Sequence, residues 1–187
     1  MPYNTDPRNN LTLLGREAKL YRTGAEQFCV FAMDLEDHKA LIPAVVSRPK
    51  EKCVRVGGEH SDKQPQVANW LASYWTMSQP RHTEQQVLAK FDKWYSRYAS
   101  TYGEPSTLYI YSFLIPCQRD GSNGHCADAI ADMLRGYQAL GKNMRVYVGW
   151  SNDDVDTDMA HATKHALADL EDDDTQIAIF PRLSIAG

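Results

Sequence analysis

Residues 107–135 read "TLYIYSFLIPCQRDGSNGHCADAIADMLR". The aromatic and β-branched run at 106–115 has the length and composition of a buried strand, and it stops at Pro116-Cys117. A polar loop with glycines at 121 and 124 follows, and from Cys126 the spacing predicts a helix to Leu140 that closes at Gly141. A strand therefore passes into a helix through a turn with a thiol on each side.

Downstream the alternation continues. "NMRVYVGW" (143–150) predicts a strand, "DTDMAHATKHALADLEDD" (156–173) a helix with acidic caps, and "TQIAIFPRL" (175–183) a last strand. Strand, helix, strand, helix, strand implies right-handed crossovers and parallel pairing. Upstream, 24–35 and 38–49 flank a polar turn and predict an antiparallel hairpin, with Pro43 at an edge or bulge. A short apolar piece at 53–58 leads into a loop. From Gln66, the residues Val67, Trp70, Leu71, Tyr74 and Trp75 keep helical spacing up to Pro80. Val87, Leu88, Phe91, Trp94, Tyr95 and Tyr98 then mark the clearest helix of the chain, ending at Gly103. The expected architecture is one α/β domain spanning 1–187. It has three layers, α/β/α, around a mixed five-stranded sheet with an N-terminal antiparallel hairpin and parallel C-terminal strands.

The chain has 187 residues, 43% hydrophobic and 24% charged, values ordinary for a globular protein. A net charge of −4 excludes a global basic field for nucleic acid or anionic membrane, although a local basic groove stays open. The N-terminus lacks the apolar run of a signal peptide, and nothing approaches the ~18 apolar residues of a membrane span. These features predict no membrane partner, a cytoplasmic or nuclear location, and a monomer or weak oligomer; secretion as a toxin domain stays open. Four cysteines in such a setting suggest reduced thiols or metal ligands.

His82-Thr83-Glu84 opens the best helix, upstream of Cys117 and Cys126. One imidazole and two thiolates suit Zn²⁺, which at catalytic sites takes three protein ligands and leaves a fourth position for water. A glutamate two residues from the histidine is then placed to carry the proton without touching the metal.

This arrangement resembles the signature of the zinc nucleobase deaminases, His-x-Glu followed by Pro-Cys-x-x-Cys, and hence the cytidine deaminase-like superfamily. "HTE" at 82–84, "PC" at 116–117 and Cys126 each fall on the expected helix start or strand end. The helix predicted between the last two strands is that of the branch holding the AID/APOBEC-like polynucleotide deaminases, tRNA adenosine deaminases and many bacterial toxin deaminases. The resemblance implies that His82, Cys117 and Cys126 hold zinc, that Glu84 is general acid and base, and that Pro116 shapes the turn. The chain departs from the family in one place. Eight residues, "QRDGSNGH", separate the two cysteines where the family has two to four. His125 is the rival ligand to Cys126, and a His2Cys site would leave Cys126 in the core.

Arg81, Ser112 and Arg119 are the further candidates for substrate contact. The reaction implied is hydrolysis of cytosine to uracil in a polynucleotide, single-stranded DNA first, with duplex DNA and RNA as alternatives. Attack at C4 would be followed by protonation of N3 and of the leaving amine from Glu84. A basic cluster of Arg81, Lys90, Lys93, Arg97 and Arg119 would supply the phosphate contacts. Two other readings stand beside it: a deaminase of a free nucleoside, nucleotide or base, and a catalytically inert deaminase-fold module that binds a protein. Glu84 speaks against the inert module, because a structural zinc needs no general base.

The remaining groups read as structure. Cys29 and Cys53 sit in apolar strand patterns as core residues. His161 and His165 belong to an alanine-rich packed helix, Asp153 to Asp158 to a helix start, and Asp172 to Asp174 to a solvated turn. Trp70, Tyr74 and Trp75 read as core before they read as a base-stacking platform.

Overall fold

The structure, a computed structural model, describes residues 4–19, 27–37, 54–56, 71–76, 83–89, 91–116, 125–152 and 176–185. Helix α1 spans Pro7–Lys19. Asp6 precedes it and accepts from the Arg8 amide at 3.0 Å, and Pro7 holds the first position, where its missing N–H costs nothing. Strand β1 covers Gln27–Met33 and leads into a short 3-10 turn, Leu35–Asp37. Strands β2 (Val54–Val56) and β3 (Leu71–Thr76) follow. After them come α2 (Thr83–Leu88), α3 (Phe91–Tyr102), β4 (Thr107–Leu114), α4 (Cys126–Ala139), β5 (Arg145–Asn152) and β6 (Ile177–Phe180).

The six strands of the described residues join one mixed sheet in the order β2-β3-β1-β4-β5-β6. β1 is antiparallel to both of its neighbours, β3 and β4, whereas β4, β5 and β6 run parallel. The α/β class and the sequence of antiparallel then parallel strands are thus as expected. Among the described residues two strands, β2 and β3, are not among the predicted five. β3 corrects the helix predicted from Gln66: Leu71–Thr76 pairs with β1 from Gln27↔Thr76 to Ala32↔Leu71. Its aromatic residues satisfy a three- and four-residue spacing as well as strand composition, and pairing on both sides decides for the strand. The long helix expected after Pro80 is divided into α2 and α3. The second half of the predicted hairpin, 38–49, and the helix predicted over 156–173 lie outside the described residues.

Side chains on β1 alternate between two apolar clusters. Cys29, Phe31 and Met33 pack with Val87, Phe91, Trp94 and Tyr98 of α2 and α3 and with Ile130 and Leu134 of α4. Phe28, Val30 and Ala32 face Leu11, Leu14 and Ala18 of α1. Strand β4 follows the same rule, with Leu108 and Ile110 toward α2, α3 and α4 and Tyr109 and Tyr111 toward α1. The parity assigns Ser112 to the face that carries α2 and α4.

The entry to β4 is fixed by Asp34, at the end of β1 with φ +46. Its Oδ1 accepts from the Ser106 amide (2.9 Å), Ser106 Oγ (2.9 Å), the Thr107 amide (2.9 Å) and Thr107 Oγ1 (3.2 Å). Its Oδ2 accepts from the Tyr98 hydroxyl of α3 at 2.7 Å. One carboxylate ties β1, α3 and the start of β4, setting the register that carries Ser112 to its place. Among the described residues, no helix is long and apolar enough to cross a membrane.

Candidate active site

Glu84 lies in the first turn of α2 and is only 2% exposed. A buried carboxylate needs donors, because desolvation without them costs several kcal/mol on the order of magnitude of a lost charged hydrogen bond or more. Ser112 Oγ donates to Glu84 Oε1 at 2.5 Å, and Thr83 Oγ1 donates to Oε2 at 3.1 Å. Ser112 and Thr83 are themselves fully buried. Ser112 therefore reaches the candidate site, as its sequence position allowed, and its hydroxyl is engaged with the carboxylate.

Directly across the β1–β4 pair from Ser112 stands Cys29. Burial pushes the Cys29 thiol well above its ordinary pKa, and the charge of Glu84 adds to the effect against a weaker opposing hydrogen bond from the Val30 backbone. Cys29 is a core residue, as expected, and also an uncharged neighbour of Glu84. Only the strand register reveals that second property, which no motif announces.

The second helix start belongs to α4. β4 ends at Leu114, and Ile115 and Pro116 are buried beyond it. α4 then opens at Cys126, whose side chain is fully buried and reduced. α2 packs against α4, so the first turn bearing Glu84 and the helix opened by Cys126 belong to the same layer. His125 occupies the position before the helix without capping it through its side chain. Among the described residues its Nδ1 is buried with no hydrogen-bond partner, and Asp128 Oδ2 lies 3.8 Å away.

Arg81, His82, Cys117 and Arg119 lie outside the described residues. Among the described residues no three His, Cys, Asp or Glu side chains gather to hold a metal. The donors that are described fit zinc in kind. Cys126 supplies a sulfur at a helix N-terminus, where the backbone dipole favours the negative charge of a ligating thiolate, and His125 Nδ1 is an orphaned buried nitrogen beside it. Both ligand sets considered from the sequence, with Cys126 or with His125, draw on this helix start.

Tyr111 lies on the opposite face from Ser112, and its hydroxyl meets Ser151 Oγ at 2.6 Å, which removes it from the site. Lys93 and Arg97 are exposed one turn apart on α3. No protein-family model matches the chain, and no curated protein matches it.

Proposed function

We propose that this chain is a zinc-dependent hydrolytic deaminase of cytidine deaminase-like, three-layer architecture that converts cytosine to uracil in a polynucleotide, single-stranded DNA foremost. The observation that carries the reading is the buried Glu84 carboxylate, held by Ser112 at 2.5 Å and Thr83 at 3.1 Å in the first turn of a helix that packs on the helix opened by Cys126. A carboxylate used only for surface charge or capping would sit in water. Burial at a helix start, with hydroxyl donors on both oxygens, suits a group that must accept and return a proton in a defined direction.

His82, Cys117 and Cys126 would hold the zinc, with His125 as the alternative to Cys126. When bound, zinc supplies the Lewis acidity that brings the pKa of a water from ~15.7 toward ~7. Glu84 takes the proton of the attacking water and delivers it to ring N3. Water adds at C4, the bond from C4 to the exocyclic nitrogen breaks, and a second proton passing through Glu84 leaves with ammonia. With Glu84 only 2% exposed, its burial limits competing solvent at the carboxylate. Lys93 and Arg97 support a polynucleotide substrate by placing two cations on one face of α3.

The test is incubation of the purified protein and its Glu84→Ala variant with single-stranded DNA, duplex DNA, RNA and free cytidine. Conversion is read by sequencing and mass, alongside zinc analysis. The expected result is conversion in single-stranded DNA that vanishes in the variant while zinc stays at one equivalent in both. Conversion that persists in Glu84→Ala, or none on any substrate, would reject the proposal. Conversion confined to free cytidine would assign the site to nucleoside metabolism.

A further inference from the structure

Building on the deaminase reading, we infer that Ser112 is a positioning residue that fixes the Glu84 carboxylate relative to the sheet. The contact joins the first turn of α2 to the interior of β4. Thr83 belongs to the same helical turn as Glu84 and moves with it, so its 3.1 Å bond cannot define where the carboxylate stands over the strands. Ser112 can. β4 is paired on both sides, with Ser112 opposite Cys29 on β1 and opposite Trp150 on β5, and all three residues are buried. The hydroxyl that reaches Glu84 Oε1 therefore rises from the interior of the sheet.

The sequence around Ser112 makes the choice informative. Its predecessors on the same face are Leu108 and Ile110, both fully buried in the apolar cluster beneath α2, α3 and α4. A hydroxyl in that row costs about 1–3 kcal/mol when unpaired, so packing alone would favour an aliphatic side chain. The terminal torsion of a glutamate is broad, and a carboxylate without a cross-element donor samples several orientations. The Ser112 hydroxyl at 2.5 Å, rising from the sheet, favours one of them. Cys29, on the other side of Ser112, stays a neutral thiol and does not compete as an anion for the same hydroxyl.

The test compares Ser112→Ala, Ser112→Cys and Ser112→Thr with the wild type. Cysteine keeps the volume but donates weakly, and threonine keeps the hydroxyl. Misplacement of a reacting group by an ångström costs about 100-fold, so Ser112→Ala and Ser112→Cys are expected to lower kcat by about 10- to 100-fold with KM little changed. Ser112→Thr is expected to restore most of the rate, and all three variants to retain zinc. Three outcomes overturn the inference: an unchanged kcat in Ser112→Ala; a loss confined to KM, which would make Ser112 a substrate contact; and a wild-type rate in Ser112→Cys, which would make its role one of packing. Should the wild type deaminate none of the substrates, the deaminase reading fails by itself. Crystal structures of wild type and Ser112→Ala then decide the positioning separately. A Glu84 carboxylate displaced or divided among orientations in the variant supports it, and one that stays in place overturns it.

Discussion

Cys29 on β1 and Ser112 on β4 face each other across an antiparallel pair, and Glu84 interacts with both. Because burial, and then the charge of Glu84, hold the thiol well above its ordinary pKa, Cys29 stays protonated through neutral and mildly alkaline pH. Native protein treated with iodoacetamide at pH 8 should leave Cys29 unmodified under conditions that alkylate it fully in denaturant, as read by peptide mass. Rapid native labelling would contradict the burial. The linkage has a definite sign: the stabilisation is complete below the unfolded thiol pKa of ~8.5 and declines as pH rises toward the folded value.

Asp34 gathers five donors from α3 and the start of β4 at a backbone φ of +46. Asp34→Ala removes the acceptor of the buried Thr107 amide and of the Tyr98 hydroxyl, whereas Thr107 Oγ1 keeps Glu36 Oε1 at 2.7 Å, and the loss costs about 3 kcal/mol or more. Asp34→Asn keeps an acceptor oxygen and a side chain that tolerates positive φ, so it should cost clearly less. Urea denaturation of the three proteins checks the order. Equal losses in both variants would assign the effect to the charge of Asp34 rather than to its acceptor geometry.

Two glycines in helices should respond to alanine with opposite signs. At Gly15 of α1 an added Cβ would lie 2.6 Å from ring carbons of Tyr111 and 2.9 Å from Ile185 Cγ2, so Gly15→Ala should destabilise by about 1–3 kcal/mol despite its helix propensity. At Gly136 of α4 nothing lies within 4 Å, and Gly136→Ala should stabilise by about 0.5–1 kcal/mol. Thermal unfolding reads both. A Tm that rises for Gly15→Ala would disprove the packing of α1 on Tyr111.

Glu104 accepts from Lys142 Nζ at 2.8 Å and from the Tyr95 hydroxyl, and the Lys142 ammonium also stands 4.6 Å over the Tyr95 ring. The Lys142 bond, then the Tyr95 bond, lowers the Glu104 pKa. A depressed carboxylate stabilises above its unfolded pKa of ~4.3, and the contribution fades as pH falls through the folded value. The contact is largely exposed, so the effect is small and salt-sensitive. Lys142→Met should lower Tm slightly at pH 7 in low salt and match the wild type at pH 3. A gap that widens on acidification would reverse the assignment.

The parallel half of the sheet was legible because β4, α4 and β5 each carry a single dominant pattern with clear stops, such as Gly141 at φ +74. β3 was misread because Leu71, Tyr74 and Trp75 keep helical spacing while the composition of the segment suits a strand equally well, and only pairing with β1 and β2 separates the two. α1 was not predicted, although Asp6-Pro7 is a recognisable helix start, because its composition is largely polar. Glu84 could be singled out from its motif. Its contact with Ser112 could not, since residues 107–112 are buried on both faces and the strand shows no alternation from which orientation could be read.

Among the described residues, the two ends of the sheet are its shortest strands, three residues in β2 and four in β6. Each offers few main-chain groups to an incoming strand, and β6 is followed by Pro181, which has no amide hydrogen to extend a ladder. The described strands give edge-to-edge growth into fibrils or strand-exchanged dimers little template to start from. At high concentration, colloidal behaviour should therefore be governed by the charged outer helices rather than by the exposed backbone of the sheet.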